Sequence, residues 1–259
     1  YYDDYDMFMQ AGSAGELGRQ HGLEQVGFWR KILAHPSYDS FWQDQAVDKI
    51  LAIQPLQVPV MLVDSLWDQE DIYGALAVYK AIKPKDTNND KVFLVLGPWH
   101  HGQEILDGSA LGPVKFNSDT ALYFRREILL PFLNQYLKDG APKADVPPVS
   151  AFETGANAWE RLPAWPRGCA SGCTARATPL YLAAGLKLGF TAPNAGDAPY
   201  DEYVSDPAKP VPFRARPIDD ASWSRWLVDD QREISGRTDV AVFTSEVLRA
   251  PVKLSLIHI

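Results

Sequence analysis

Two short runs of uninterrupted apolar residues, Val58-Pro59-Val60-Met61-Leu62-Val63 and Val92-Phe93-Leu94-Val95-Leu96, stand out in the first half of the chain. Runs of this length without alternation predict strands buried on both faces, of the kind carried by parallel α/β sheets. Between them Ile72, Leu76, Val78, Tyr79 and Ile82 recur at helical spacing, which predicts a helix over Asp68–Lys83, ended by Pro84 and an Asn88-Asn89 loop. Strand, helix and strand make one βαβ unit. A second helix is predicted over Asp119–Lys138, with Pro131 expected to kink it and Gly140 to stop it.

The flanks read differently. Residues 1–48 mix aromatic and charged positions, with short helices predicted around Phe28–Leu33 and Phe41–Ile53, interrupted by His35-Pro36. From Pro142 onward short β-type runs dominate, such as Val149–Phe152, Leu180–Leu182 and Val240–Phe243, separated by Pro, Gly, Asn and Asp turns. The expected division is therefore a helical cap segment over 1–48, part of an α/β domain over 49–140, and part of an all-β sandwich over 141–253. The last six residues, Leu254–Ile259, match the translation of a sequencing adaptor (CTG TCT CTT ATA CAC ATC) and are set apart from the fold, His258 with them.

Composition narrows the function classes. The chain has 259 residues, 25 Lys plus Arg against 33 Asp plus Glu, and a formal charge of -8, which argues against a surface that tracks nucleic-acid phosphates. No apolar run approaches the about 20 residues needed to span a bilayer. Cys169 and Cys173 form a C-x3-C pair, too few thiols for a zinc site; a disulfide and a reduced pair are equally compatible with that spacing. No metal site and no organic cofactor is expected.

The chemistry concentrates in two loops that follow the two buried strands: Asp64-Ser65-Leu66-Trp67-Asp68-Gln69-Glu70-Asp71 and Gly97-Pro98-Trp99-His100-His101-Gly102. In an open α/β sheet, ligands bind beyond the carboxyl ends of the strands, so both loops should face one crevice. An acid followed by a histidine is the order of the last two members of a Ser, Asp, His triad on such a sheet. The acids at 68, 70 and 71 also suit the cap and first turn of the following helix. His101 has a plainer reading as a structural loop histidine, and Trp67 and Trp99 as core residues. His21 and His35 read as packed or solvated cap residues. No G-x-S-x-G occurs; Ser13, in Ala11-Gly12-Ser13-Ala14-Gly15, follows no buried strand and is rejected as a nucleophile.

These segments, with His35-Pro36-Ser37-Tyr38-Asp39-Ser40-Phe41-Trp42, resemble the X-Pro dipeptidyl-peptidase and cocaine-esterase family of serine hydrolases. Phe152-Glu153-Thr154-Gly155 with Trp159, then Asp230-Gln231-Arg232 and Arg237-Thr238-Asp239-Val240, resemble the opening strands of that family's jelly-roll domain. Asp68-Gln69-Glu70-Asp71 is most similar to the α-amino acid ester hydrolases, whose carboxylate cluster binds the substrate's α-ammonium. The resemblance implies the C-terminal part of an α/β-hydrolase domain with a helical cap segment, followed by a truncated jelly-roll sandwich. It assigns Asp68 as triad acid, His101 as triad base, and Glu70 and Asp71 as ammonium ligands. Trp67 and Trp99 flank that acid and base, and a water-excluding apolar wall is expected of both. Ser65 departs from the pattern, where many members have Gly.

The same resemblance places the nucleophile upstream of Tyr1, so the 259 residues alone are expected to be inactive. The implied substrate is a small ester or amide bearing an α-ammonium group, with no nucleic-acid or membrane partner. An X-Pro peptidase, a general carboxylesterase and a non-catalytic binding module are the rival readings. Members of the family are often exported to the periplasm or beyond, and some assemble as homo-oligomers; the sequence carries no signal of its own for either.

Overall fold

A computed structural model describes residues 2–166, 178–194, 196, 200–206, 208–212, 214–219, 223–250 and 252. Cys169, Cys173 and the segment 254–259 lie outside the described residues. The chain divides into two units, one comprising Tyr1–Cys173 with Arg216–Val228, the other Thr174–Ala215 with Asp229–Ile259.

The first unit opens with short helices α1 (Asp4–Ala11), α2 (Ala14–Gln20), α3 (Gly27–Ala34), α4 (Ser40–Gln43) and α5 (Val47–Ile53). Side chains set several of their starts: Asp3, Ser13 and Asp39 each accept a backbone N–H of the helix that follows. The single helix expected over Phe41–Ile53 is two, because the Gln45 carboxamide takes the Phe41 carbonyl at 2.6 Å and the chain turns at Ala46 before restarting.

Strand β1 (Val60–Ser65), helix α6 (Gly74–Ile82) and strand β2 (Val92–Gly97) form the expected βαβ unit, with β1 and β2 parallel in the register Val63 to Val95. Every residue of β2 is buried, which explains its unbroken apolar pattern. Helix α6 starts later than its periodicity predicts. The Asp68 carboxylate accepts the N–H groups of Glu70 and Asp71, and Asp71 those of Tyr73 and Gly74, at 2.7–2.9 Å. These local bonds hold the chain as turns and delay the helix.

After a small hairpin of β3 (Ala110–Leu111) and β4 (Val114–Lys115), α7 (Thr120–Tyr123) passes through a π-helical stretch, Phe124–Leu129, into α8 (Leu130–Leu137). Leu130 N–H bonds the Arg125 carbonyl, five residues back. Pro131 has no N–H to continue the ladder, so the widened turn just before it takes the place of the expected kink.

The first β-type run after residue 141, expected to belong to a sandwich, joins the sheet of β1 and β2 instead. Val149–Phe152 falls in β5 (Val149–Glu153), which pairs parallel with β2 through Leu94 to Val149, and β6 (Ala158–Leu162) returns antiparallel beside it. The sheet order is β1-β2-β5-β6. Pairing with β2, far back in the chain, fixes this placement, and strand composition alone does not carry that information. A last helix of the unit, α9, spans Trp223–Trp226.

The core of this unit gathers Val95, Trp99, Ala121, Phe124 and Ile128, and a second cluster joins Leu111, Phe116 and Phe152 with the partly buried Trp67, Trp159, Leu227 and Val228. In the second unit β7 (Tyr181–Ala183) pairs antiparallel with β8 (Lys187–Gly189), and β8 parallel with β9 (Thr244–Ser245). The strand expected at Val240–Phe243 is not one; pairing in that region is confined to Thr244–Ser245. No helix among the described residues is long and apolar enough to cross a membrane.

Candidate active site

The loops after β1 and β2 leave the same edge of the sheet and stay zipped together beyond it. Leu66 N–H donates to the Gly97 carbonyl at 2.9 Å and Trp67 N–H to that of Trp99 at 3.0 Å. This continues the parallel ladder past the strands and brings Asp68 beside His101, 33 positions apart.

His101 Nδ1 lies 2.9 Å from Asp68 Oδ2 and 3.1 Å from Oδ1. A carboxylate only accepts, so Nδ1 carries the proton, and in the neutral ring Nε2 is left as the base. The environments are unequal: the Asp68 side chain is 8% exposed and that of His101 50%. The hydrogen bond to Asp68 raises the His101 pKa above its usual 6.5, with Glu70 and Glu104 adding to the rise and partial desolvation opposing it. Glu70 Oε2 stands 3.6 Å from Nε2, on the exposed side of the ring.

Two further residues touch the His101 backbone. The Gln69 carboxamide oxygen accepts His101 N–H at 3.2 Å, and His100 Nδ1 donates to the His101 carbonyl at 2.9 Å. His100 is buried, and desolvation lowers its pKa. A third acid lies deeper: Asp64, at the end of β1, is 7% exposed and accepts the Ser65 N–H at 2.9 Å. Burial first, then the neighbouring Asp71 and Asp68 charges, push its pKa up to about 6. Sequence reasoning missed Asp64 and Gln69; the one available signal for Asp64 was an acid ending an apolar run, and Gln69 had none.

The other expected site residues separate. Glu70 and Asp71 are exposed beside the pair, and Asp71 also caps the turn into α6. A side chain at Gly74 would bring its Cβ 2.3 Å from Asp71 Oδ2, so this close approach needs glycine. Trp67 packs against Leu111, Phe116 and Phe152 while keeping part of its surface open. Trp99 corrects the expectation: it is fully buried among Val95, Phe124 and Ile128, and is a core residue rather than a crevice wall. Its ring fits because residue 97 has no Cβ, which would come within 2.3 Å of it. Ser13 is an N-cap, its hydroxyl accepting Glu16 N–H at 3.1 Å, and His35 stacks on Phe41 and pairs with Asp39 at 2.7 Å. Among the described residues no group of three or more His, Cys, Asp or Glu side chains is arranged to hold a metal.

Known proteins share this arrangement of segments. Residues 2–103 match the X-Pro dipeptidyl-peptidase (S15 family). The cocaine esterase of Rhodococcus sp. (strain MB1 Bresler) is 27% identical over 257 residues, 95% of this chain and 42% of the esterase. A solved α-amino acid ester hydrolase is 55% identical with a TM-score of 0.87, over 95% of this chain and 41% of that one. These matches make the chain similar to members of the X-Pro dipeptidyl-peptidase and cocaine-esterase family. A solved aminopeptidase from a marine sediment archaeon, Thaumarchaeota archaeon, is 51% identical with a TM-score of 0.86, over 95% of this chain and 40% of that one. The chain spans about two-fifths of the length of these family relatives. The helix-and-sheet architecture of the first unit is thus that of an α/β-hydrolase-like fold.

Proposed function

We propose that this chain is part of a serine hydrolase that cleaves or transfers the acyl group of esters or amides bearing a free α-amino group. The observation that carries the reading is the pairing of His101 Nδ1 with the Asp68 carboxylate at 2.9 Å, which leaves Nε2 available as a base. A serine from outside these 259 residues would attack the substrate carbonyl while Nε2 takes its proton. The tetrahedral intermediate would then collapse to an acyl-enzyme as the imidazolium returns that proton to the leaving group. Water, or an acyl acceptor, would repeat the sequence in reverse, with Asp68 holding the tautomer throughout. On this reading the 259 residues alone are inactive.

Glu70 and Asp71 would receive the substrate's ammonium, since a cation leaving water needs anionic oxygens in place of its hydration shell. Trp67 would supply an apolar side wall. The second unit would belong to a jelly-roll sandwich, in keeping with its short strands. The full-length protein tests the ammonium pocket directly: an amino-acid methyl ester should react with a higher kcat/KM than its des-amino analogue, and equal values would remove Glu70 and Asp71 from the reading. Similarity to a solved aminopeptidase favours one second reading, a peptidase acting at a free N-terminal α-amino group. An amino-acid amide or Xaa-Pro substrate preferred over the ester would select it.

A further inference from the structure

The base of a triad must keep its imidazole within a few tenths of an ångström of its working position, and a hydrogen bond to the acid fixes only one edge of the ring. The backbone beneath His101 is poorly placed to supply the rest. It lies beyond the end of β2, after Pro98, and before Gly102, whose φ of 77° is left-handed. No helix or strand contains it.

Its peptide groups are held by side chains instead. Gln69 Oε1 accepts the His101 N–H at 3.2 Å and His100 Nδ1 donates to its carbonyl at 2.9 Å. His100 is in turn anchored, since its own N–H donates to Gln103 Oε1 at 3.2 Å, and the Gln103 amide donates to the Asp107 and Ala110 carbonyls. Gln69 follows Asp68 directly, and Asp68 is locked by accepting the N–H groups of Glu70 and Asp71. Consecutive residues of one loop thus grip a single residue of the other, Asp68 at the ring and Gln69 at the backbone.

We propose that Gln69 is a positioning residue for His101: its carboxamide oxygen holds the His101 backbone so that the imidazole meets Asp68 without relying on the ring hydrogen bond alone. The inference rests on the Asp68–His101 reading above and goes beyond it. A glutamine suits the task because its side chain reaches the second loop and its oxygen adds no charge to a ring already faced by Asp68, Glu70 and Glu104, with His100 alongside.

The test is an NMR titration of the His101 imidazole in the full chain, with 15N detection of its tautomer, in wild type, Gln69→Ala, Gln69→Glu and Asp68→Asn. Loss of the backbone grip should let the ring drift from Asp68, so Gln69→Ala should lower the His101 midpoint by several tenths of a pH unit and mix its tautomers. Gln69→Glu keeps an acceptor oxygen on a side chain of the same length, so it should retain the Nδ1–H tautomer and raise the midpoint through its added charge. In the active protein the alanine variant should lower kcat more than it raises KM, with the glutamate variant restoring part of the loss. A Gln69→Ala titration identical to wild type, while Asp68→Asn shifts the midpoint down, would overturn the inference and leave the dyad standing. No shift in Asp68→Asn would instead remove the dyad, and the inference with it.

Discussion

The indole Nε1 of Trp99 donates to the hydroxyl of Thr120 at 2.8 Å, and that hydroxyl donates onward to the Gly108 carbonyl at 2.8 Å, all within a region closed to solvent. The chain that leads to His101 is thereby bolted to the start of α7. Thr120→Val keeps the shape, and the Gly108 carbonyl still accepts the backbone N–H of residue 120, but the buried indole N–H is left unsatisfied, which costs about 1–3 kcal/mol. Urea unfolding should show the midpoint falling with an unchanged m-value. A variant as stable as wild type would mean that another acceptor takes the indole.

The same tryptophan shows where the sequence was legible and where it was not. Two apolar runs announced β1 and β2, and chain order placed an acid and a histidine beyond their ends, because both signals are local. The burial of Trp99 was not legible: it depends on the π-helical stretch after α7 and on β6, which supply Phe124 and Trp159 from later in the chain. Parallel pairing of β5 with β2 was hidden for the same reason, since a short β-type run such as Val149–Phe152 fits a sandwich as well as a parallel sheet. The late start of α6 was hidden differently. Periodicity in Ile72 to Ile82 was correct, but the carboxylates of Asp68 and Asp71 took the backbone N–H groups first. The two loops that bring Asp68 beside His101 were therefore legible, while Gln69 and His100, which bond the His101 backbone, carry no pattern that spacing reveals.

Arg216 closes a long loop onto the first helix. Its guanidinium bonds Asp3 at 2.6 Å and Asp6 at 2.5 Å and stacks over Tyr5, with the Asp4 N–H donating to the Ile218 carbonyl at 2.7 Å. Arg216→Ala should loosen this strap, and hydrogen exchange at the Asp4 amide should speed up while the core amides of β2 keep their protection. The Arg216 hydrogen bond also holds the Asp3 carboxyl below its usual range. A depressed folded pKa contributes stability above the unfolded value and loses it as pH falls through the folded one, so wild type should fray near Asp4 below about pH 4 while the variant is already frayed at neutral pH.

Asp64 acts in the opposite direction. Burial raises its pKa to about 6, well above its unfolded value of 3.8, so its contribution is greatest below about pH 4, where it is protonated in both states, and is lost as pH rises through 6. Asp64→Asn keeps an oxygen for the Ser65 N–H and removes the charge. Unfolding at pH 8 should therefore show the variant more stable by about 1–2 kcal/mol, with the difference vanishing near pH 4. A variant destabilised at pH 8 would show that the ionised carboxylate is held by something stronger than its own loop.

The Asp68–His101 pair gives the last prediction, because its sign is fixed by geometry. Pairing raises the folded pKa of His101 above its unfolded 6.5, so the pair stabilises the protein fully below pH 6.5 and the gain disappears as pH rises through the raised value. Asp68→Asn removes the anion and offers an amide that can face Nδ1 with its N–H, favouring the wrong tautomer. Thermal unfolding of wild type should thus rise in midpoint from pH 9 to pH 6 by more than that of the variant, and the two profiles should converge above the raised pKa. In the active protein the same rise sets the acidic limb of kcat/KM above pH 6.5, since Nε2 must be unprotonated to act, and Asp68→Asn should move that limb down while lowering the plateau by orders of magnitude. Profiles that stay parallel across this range would show that Asp68 does not hold the histidine in solution.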